Sequence, residues 1–255
     1  MKAHLRSLAV ACCLGLASLS PANAAELKVL VGGAYDQVFQ ALLPSYEKAS
    51  GNTVTSEQGP AGTLKKRVES GEAFDIAIIT PAVMEGLIKG GKLDGQGYAR
   101  VANVGVGVGV KEGAPKPDIS SVEALKRALL AAKAVAYTDP ATGATSGTFV
   151  DGLLVRLGIA DQVRPKAKLK RGGHAGDFVA SGEADIVLQQ ASEIVPVKGV
   201  VLVGPLPAEV QNTTTYAAAV SSQSQHKDAA RALIAALTGS AAAEVLKAKG
   251  MEPAK

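Results

Sequence analysis

The sequence predicts an α/β fold of two lobes with a ligand cleft between them. Three observations lead to this prediction. Short apolar strand candidates alternate with helical patterns as far as Gly91, the same alternation restarts after residues 104–110, and an apolar segment at residues 214–220 follows the second series. Strands that alternate with helices at this spacing form parallel sheets joined by crossover helices.

The first series opens with the apolar segment 27–31, which ends at a pair of glycines. Val38, Leu42 and Tyr46 then follow at the spacing of one helix face, and Gly51 ends that helix. The predicted elements of this series are a strand at 27–31, a helix at 35–49, a strand at 53–57, a helix at 63–70, a strand at 74–79 and a helix from Thr80-Pro81 to Gly90-Gly91.

Residues 104–110 alternate valine with glycine. In a strand the valines line one face and the glycines the other, so we expect a neighbour to pack very close to the glycine face. The elements predicted beyond it are a helix from Val122, a strand at 134–137, a helix from Thr145, a strand around Lys168, a helix from His174, strands at 185–188, 200–203 and 214–220, and a helix from His226 to the end.

The strand at 214–220 has no place in the second series, so the chain is expected to return to the first lobe. This predicts one lobe of residues 25–103 plus 213–255 and a second of residues 104–212. Residues 104–110 and 214–220 would be the two strands that cross between the lobes. A cleft of this kind favours a small ligand, placed outside the carboxyl ends of the strands.

Residues 1–24 have the features of a secretory signal peptide. Lys2 and Arg6 precede an apolar run, residues 8–19, that is too short to span a membrane, and Ala22-Asn23-Ala24 fits a cleavage site. A lipidated Cys12 is the rival interpretation, which the very short apolar stretch before it disfavours. Cleavage after Ala24 would remove both cysteines, Cys12 and Cys13, and predicts an exported, periplasmic protein without thiol chemistry.

Composition excludes several classes of function. The chain has 27 basic and 23 acidic residues and no tryptophan, which argues against a nucleic-acid partner. Only His174 and His226 would remain after processing, so no zinc site of ordinary spacing is available and we expect no metal. The glycines of residues 105–109 lack dinucleotide-binding spacing, and no phosphate loop or hydrolase nucleophile motif occurs, so we expect no cofactor. A monomer is predicted.

Four junctions between a strand and a helix carry the small and hydroxyl residues of an anion site. They are residues 32–35, residues 59–63, Thr80-Pro81 and residues 139–147. Each alone is explained by an ordinary helix cap, but together they would direct free N–H groups and hydroxyls at one cleft. The candidate ligand contacts are Gly33, Ala34, Tyr35, Gly62, Thr63, Thr80, Thr142, Thr145 and Ser146.

A fifth junction, Arg171-Gly172-Gly173-His174, adds Arg171 as a candidate clamp for a carboxylate and His174 as a ligand contact or proton donor. A solvated rim explains the same residues equally well. Gln189-Gln190 follows a buried strand, where the two amides either bind a ligand or form a polar turn.

The chain resembles periplasmic solute-binding proteins of the molybdate-binding type, which have the type II periplasmic binding protein fold. The segments that carry the resemblance are the strand followed by Gly33-Ala34-Tyr35, residues 70–76, Thr138-Asp139-Pro140 and residues 181–186. The resemblance implies a pocket of hydroxyls and backbone N–H groups built from Gly33-Ala34, Gly62-Thr63, residues 142–146 and Gln189. It also implies capture of a small anion for an ABC-type importer with its permease in the inner membrane.

The first two loops of molybdate binders usually carry serines, and a tyrosine is usual near Gln189; neither feature occurs here. Residues 48–52, 113–120 and 204–207 are more similar to a divergent branch that includes aconitate isomerase, an enzyme that interconverts cis- and trans-aconitate. Two hypotheses follow: a transport protein that binds a carboxylate or oxyanion, and an isomerase on the same scaffold. For the isomerase, His174 and Tyr35 are the candidate catalytic residues.

Overall fold

The computed structural model describes residues 24–254, and its first part is a parallel unit of strands and helices. Its elements are β1 (Glu26–Gly32), α1 (Gly33–Ser50), β2 (Thr53–Gly59), α2 (Ala61–Glu69), β3 (Ile76–Ile79) and α3 (Pro81–Lys89). β1 pairs in parallel with β2 on one side and with β3 on the other. The predicted alternation is therefore correct here, while residues 1–23 of the predicted signal peptide lie outside the described residues.

A second series follows the long strand β4 (Leu93–Lys111). Its elements are α4 (Val122–Ala131), β5 (Val135–Thr138), α5 (Thr145–Arg156), α6 (Ala160–Val163), β6 (Ala167–Lys170), α7 (Asp177–Ala180), β7 (Ile186–Gln190), α8 (Ala191–Ile194) and β8 (Val200–Pro205). The last elements are β9 (Thr213–Ser221), α9 (Lys227–Leu237), α10 (Ser240–Ala248) and β10 (Glu252–Pro253). β5 pairs in parallel with both β6 and β7.

β4 belongs to both sheets. Residues 93–105 of this strand pair with β9, and residues 106–111 pair with β7 and β8, in each case antiparallel. The strand order is β2-β1-β3-β9-β4-β7-β5-β6. The sequence predicted only residues 104–110 as strand, because the polar residues before them lack a strand pattern. β9 supplies their backbone partners instead, with register shifts between Asp94 and Ala99 and between Arg100 and Ala102.

The hydrophobic core also changes along β4. Val101 and Val104 are buried with α1, α9 and α10, whereas Val106, Val108 and Val110 are buried with α4 and α5. This change of core is the physical basis for the proposed division into residues 25–103 plus 213–255 and residues 104–212.

The glycines of β4 allow α8 to pack directly on the strand. A Cβ atom on Gly109 would lie 2.8 Å from Ile194 Cγ2 and 2.8 Å from Val187 Cγ1. This is the close packing predicted from the valine–glycine alternation. On its other side α8 is joined to α1, because the Ser192 hydroxyl donates a hydrogen bond of 2.7 Å to the Ala34 carbonyl. The short helix is thus held between the second sheet and a helix of the first.

Two predicted helices differ from the structure. The helix expected from about His174 begins at Asp177, after a turn at Ala175-Gly176. The helix expected from His226 to the end is divided at Thr238-Gly239 into α9 and α10. Within residues 24–254 no single helix is long and apolar enough to cross a membrane; α9 and α10 together meet the length and composition criteria, but they are bent by 59°.

Candidate functional site

A cavity of about 130 Å³ opens between the two sheets, where β1, β2, β5 and β7 end. On the side of the first sheet it is lined by Gly32, Gly33, Ala34, Gln58, Gly59, Pro60 and Ala61. On the side of the second it is lined by Thr138, Ala144, Thr145, Ser146, Gly172, Gly173, Gln190 and Glu193, and Tyr216 of β9 completes the wall. The cavity therefore lies at the carboxyl ends of parallel strands, where ligands of open α/β sheets bind.

Three helices begin at this cavity without a side-chain cap. The N-cap residues of α1, α2 and α5 are Gly32, Pro60 and Ala144, and none of them accepts a hydrogen bond through its side chain. The first N–H groups of an α-helix have no partner within the helix. These groups and the positive ends of three helix dipoles therefore remain available to an anion. Among the described residues no lysine, arginine or histidine lines the cavity.

Buried amides fix the wall of the cavity on the side of the second sheet. The Gln190 amide nitrogen donates to Thr214 Oγ1 at 2.8 Å, and its oxygen accepts from the Tyr216 hydroxyl at 3.0 Å. The Gln189 amide nitrogen donates to Thr138 Oγ1 at 3.2 Å, and its oxygen accepts from the Ala175 N–H at 2.9 Å. Gln190 thus lines the cavity, while Gln189 lies behind it and holds Thr138 and the loop of Gly172-Gly173 in place.

Glu193 places an ionisable carboxyl group in this cavity. One carboxylate oxygen would lie 3.6 Å from a Cβ atom on Gly33, across the gap from α8 to α1. Burial removes water from the carboxyl group and raises the pKa of Glu193 to about 8, although the Gln190 backbone N–H and the Gln189 side chain act in the opposite direction. Glu193 is therefore mostly protonated at neutral pH and can donate a hydrogen bond to an anion.

Tyr216 covers the base of the cavity. A Cβ atom on Gly32 would lie 2.5 Å from Tyr216 Cε1, so only glycine allows the ring to lie against the end of β1. The ring centroids of Tyr216 and Tyr35 are 6.0 Å apart. Burial raises the pKa of both tyrosines above the ordinary value, and the charge of Glu193 contributes to the shift of Tyr216. Both phenols are therefore neutral at physiological pH.

Four of the predicted ligand residues line the cavity: Gly33, Ala34, Thr145 and Ser146. Tyr35 does not line the cavity, because Ala34 lies between it and the opening. The Tyr35 ring points into the core, where its hydroxyl is buried without a hydrogen-bond partner among residues 24–254. Thr80 is the N-cap residue of α3, makes no side-chain cap hydrogen bond and is not among the residues that line the cavity. Thr63 is exposed on α2.

The remaining predicted contacts lie at the edge of the cavity or behind it. The Thr142 hydroxyl donates to the Asp139 carbonyl at 2.7 Å, so it is already engaged. The Arg171 side chain is 81% exposed, is not in the cavity lining, and pairs with the Asp139 carboxylate at 2.9 Å. His174 is half-buried, and its Nδ1 is buried without a hydrogen-bond partner within the described part of the chain.

Gly62 lies outside the cavity lining but at a contact between the two sides of the cleft. A Cβ atom on Gly62 would lie 3.3 Å from Gly143 Cα and 3.3 Å from the Thr142 carbonyl oxygen. These atoms belong to backbone, which cannot rotate away as a side chain can. A side chain at this position would therefore separate α2 from the loop before α5.

We expect Gly62→Val to weaken ligand binding by about tenfold or more, which corresponds to about 1.4 kcal/mol per factor of ten. The valine side chain would hold the two sides of the cleft apart. Gly86→Val is the matched control, since Gly86 lies in α3 with open space around its Cβ position. Calorimetric titration of both variants measures the effect. Equal affinity of Gly62→Val and Gly86→Val would show that this contact does not limit closure.

The sequence did not identify Glu193, Tyr216, Gln58 and Thr138 as members of the site. Acidic residues are common in the first turn of a helix because the helix dipole favours them there. Glu193 therefore did not stand out in the sequence as a site residue. Its position just after a buried strand and Gln189-Gln190 was the available signal. The sequence did not predict Tyr216 as a site residue, because β9 follows the whole second series in the chain and returns to the first sheet only in the folded structure.

An α/β protein of two sheets, with crossing strands and a cavity surrounded by helix N-termini, is a periplasmic binding protein by its fold. The chain belongs to the family described as bacterial extracellular solute-binding protein, whose model matches residues 27–252. Its fold matches that of periplasmic molybdate-binding proteins. The predicted fold class and family are therefore confirmed.

Two proteins of known function and one solved structure are similar to this chain. Aconitate isomerase of a Pseudomonas species is 32% identical, and the match covers 89% of this chain and 87% of the relative. The molybdate-binding protein ModA of Azotobacter vinelandii is 27% identical, and the match covers 98% of both chains. The structure of the periplasmic molybdate-binding protein of Azotobacter vinelandii gives a TM-score of 0.76 at 19% identity, covering 90% of this chain and 100% of the other. The structural match shows the shared fold.

Proposed function

We propose that this protein captures a small anion, a di- or tricarboxylate or another oxyanion, between its sheets and delivers it to an ABC-type permease. The observation that carries the proposal is the cavity at which three uncapped helices begin and no cationic side chain is found among the described residues. Such a site binds negative charge through N–H groups and helix dipoles. The proposal includes export by residues 1–24, a periplasmic location and a monomer.

The wall of the cavity favours a carboxylate over a tetrahedral oxyanion. Ala34, Pro60, Ala61, Ala144 and the ring of Tyr216 supply apolar surface beside the N–H groups. A carbon skeleton with separate carboxylates can place its charged ends at the helices and its carbon atoms on this surface. A tetrahedral oxyanion presents oxygen in every direction, and some of these oxygens would face apolar groups at a cost.

Replacing Thr145 with valine should weaken capture by about 1–3 kcal/mol, because it removes a hydroxyl donor from the cavity while keeping the shape of the side chain. The matched control is Thr148→Val, which changes an exposed threonine of the same helix. Calorimetric titration with molybdate, sulfate, succinate and cis-aconitate identifies the ligand class. If Thr145→Val and Thr148→Val bind the preferred ligand equally well, Thr145 is not a ligand contact.

A second candidate function is isomerisation of an unsaturated tricarboxylate, and a specific observation favours it. Glu193 gives the cavity a group that can take and return a proton, which a transport protein for anions does not need. The similarity to aconitate isomerase agrees with this candidate. Incubating the mature protein with cis-aconitate and measuring the trans isomer by proton NMR tests it directly; unchanged cis-aconitate leaves capture as the function.

A further inference from the structure

We propose that Glu193 is a catalytic acid–base residue that moves a proton between two carbon atoms of a bound unsaturated polycarboxylate. The inference rests on the proposed function, since it requires that the anion occupy the cavity. His174 and Tyr35, the candidates from sequence, do not line the cavity, whereas Glu193 does. Within the described residues it is the one carboxyl group in the lining, and no histidine, lysine or cysteine accompanies it.

Simple anion capture does not require a carboxyl group here, because an amide or a hydroxyl would donate the same hydrogen bond as protonated Glu193 without being able to ionise. Three helix N-termini attract negative charge to the cavity, and an ionised carboxylate beside the bound anion would oppose them. A pure binding site would therefore gain from an amide or hydroxyl at this position. A group that exchanges a proton with the ligand must instead be an acid and a base in turn, and a carboxyl is both.

The structure also fixes the short helix that carries this carboxyl group. α8 packs on the glycine face of β4, where Ile194 contacts the Gly109 position, and the buried Ser192 hydroxyl bonds to the Ala34 carbonyl at 2.7 Å. Residues on both sides of Glu193 are thus held by packing and by a hydrogen bond to α1. Precise support of this kind is what a proton-transfer group requires, because transfer depends on distance and orientation.

The proposed step balances without a cofactor. Ionised Glu193 removes a proton from the methylene carbon that lies between a carboxylate and the carbon–carbon double bond. The electron pair of that C–H bond forms a new double bond to the central carbon, and the electron pair of the old double bond takes a proton at the far carbon. Protonated Glu193 supplies that proton and returns to the carboxylate. One C–H bond breaks and one forms, and no oxidant or reductant takes part.

The helix N-termini would stabilise the intermediate of this step. Removing a proton next to a carboxylate spreads negative charge over that carboxylate and the allylic carbons. N–H groups aimed at the carboxylates bind this additional charge more strongly than they bind the ground state. A pKa of about 8 for Glu193 also places it near the pH at which a carboxyl acts best as both acid and base.

The test uses the mature protein and cis-aconitate in D₂O. Proton NMR follows loss of the methylene and vinyl signals as deuterium enters, together with the appearance of the trans isomer. Calorimetric titration measures binding of cis-aconitate separately. We expect wild type to bind cis-aconitate and form the trans isomer, with deuterium entering only as far as the proton held by Glu193 exchanges with solvent. Glu193→Gln should bind within about threefold of wild type while losing isomerisation by about a hundredfold or more, the usual contribution of an acid–base group.

Two further variants separate catalysis from a structural role. Glu193→Asp retains the acid and should recover part of the isomerisation, whereas a residue that only caps α8 through the Gln190 N–H would be replaced adequately by glutamine. Glu85→Gln, which replaces an exposed carboxyl of α3, is the matched control and should isomerise cis-aconitate as wild type does.

The outcomes distinguish the two proposals. Binding of cis-aconitate by wild type without formation of the trans isomer overturns the role of Glu193 and leaves capture intact. Absence of binding overturns both for this ligand class. Isomerisation that survives in Glu193→Gln but is lost in His174→Ala would assign the step to His174 and overturn the proposal.

Discussion

Replacing Gly147 with alanine is expected to destabilise the protein by about 3 kcal/mol, a large effect for the addition of one methyl group. Gly147 lies in the first turn of α5, and a Cβ atom there would lie only 2.3 Å from the Thr138 carbonyl oxygen and 3.0 Å from its carbonyl carbon. Both atoms belong to the backbone at the end of β5, so the clash is relieved only if the helix or the strand moves.

Gly152→Ala is the matched control, because Gly152 lies in the same helix and its Cβ position meets only the Arg156 Nη1 atom, at 3.5 Å. Alanine in a helix interior is favoured over glycine, so this variant should be more stable than wild type by about 0.5–1 kcal/mol. Urea unfolding of the three proteins measures both changes. Similar stabilities of Gly147→Ala and Gly152→Ala would show that α5 is not held against β5 as described.

The same substitution should also reduce ligand binding. The start of α5 supplies Thr145, Ser146 and free N–H groups to the cavity, and the helix must shift to accommodate a methyl group at Gly147. Binding by the folded fraction of Gly147→Ala is therefore expected to fall, whereas Gly152→Ala should bind as wild type does. Calorimetric titration under conditions in which both variants are folded tests this consequence.

Glu193→Gln is expected to make the protein more stable than wild type at alkaline pH. Burial raises the pKa of Glu193 to about 8 in the folded state, while in the unfolded chain the group has an ordinary pKa near ~4.3. Between these two values the folded state binds a proton that the unfolded state has released. The free energy of unfolding therefore falls as pH rises through this range.

The glutamine variant is neutral in both states and lacks this contribution. Its stability relative to wild type should rise between pH 5 and pH 9 by about 2–4 kcal/mol, less than the full linkage because part of the side chain reaches solvent. Tyr216 and Tyr35 do not titrate in this range, since burial raises the pKa of each further. Thermal unfolding at several pH values is the measurement.

Glu85→Gln provides the control for this pH series, because Glu85 is exposed on α3 and its removal should leave the pH dependence unchanged. Parallel pH profiles of wild type and Glu193→Gln would contradict the raised pKa. They would also remove the support that the pKa gives to the acid–base role, while the position of Glu193 in the cavity would remain.

Local patterns in the sequence were sufficient to predict the fold class. The helical spacing of Val38, Leu42 and Tyr46 and the glycines that follow α1 and α3 predict the elements of the first series within a few residues of the observed bounds. The alternation of valine and glycine in residues 104–110 also predicts that a neighbour packs on the glycines. These signals are local, because they depend on backbone preference and on which face of one element is buried.

The sequence also indicated part of the candidate site. Gly33, Ala34, Thr145 and Ser146 lie at helix starts, and helix starts at the carboxyl ends of parallel strands meet at one edge of a sheet. Thr80 satisfies the same local rule at the start of α3 and yet is not among the residues that line the cavity. Which helix starts converge is decided by strand order, and strand order is not a local property.

Only the tertiary structure revealed the members of the site that come from distant segments. Tyr216 reaches the cavity because β9 is inserted between β3 and β4, and Glu193 reaches it because α8 is held against the glycines of β4 and against α1. The raised pKa of Glu193 has the same origin, since it arises from burial by segments far apart in the chain. The sequence by itself therefore determined most of the elements and the family of the chain, whereas tertiary packing decided which side chains face the cavity and in which protonation state.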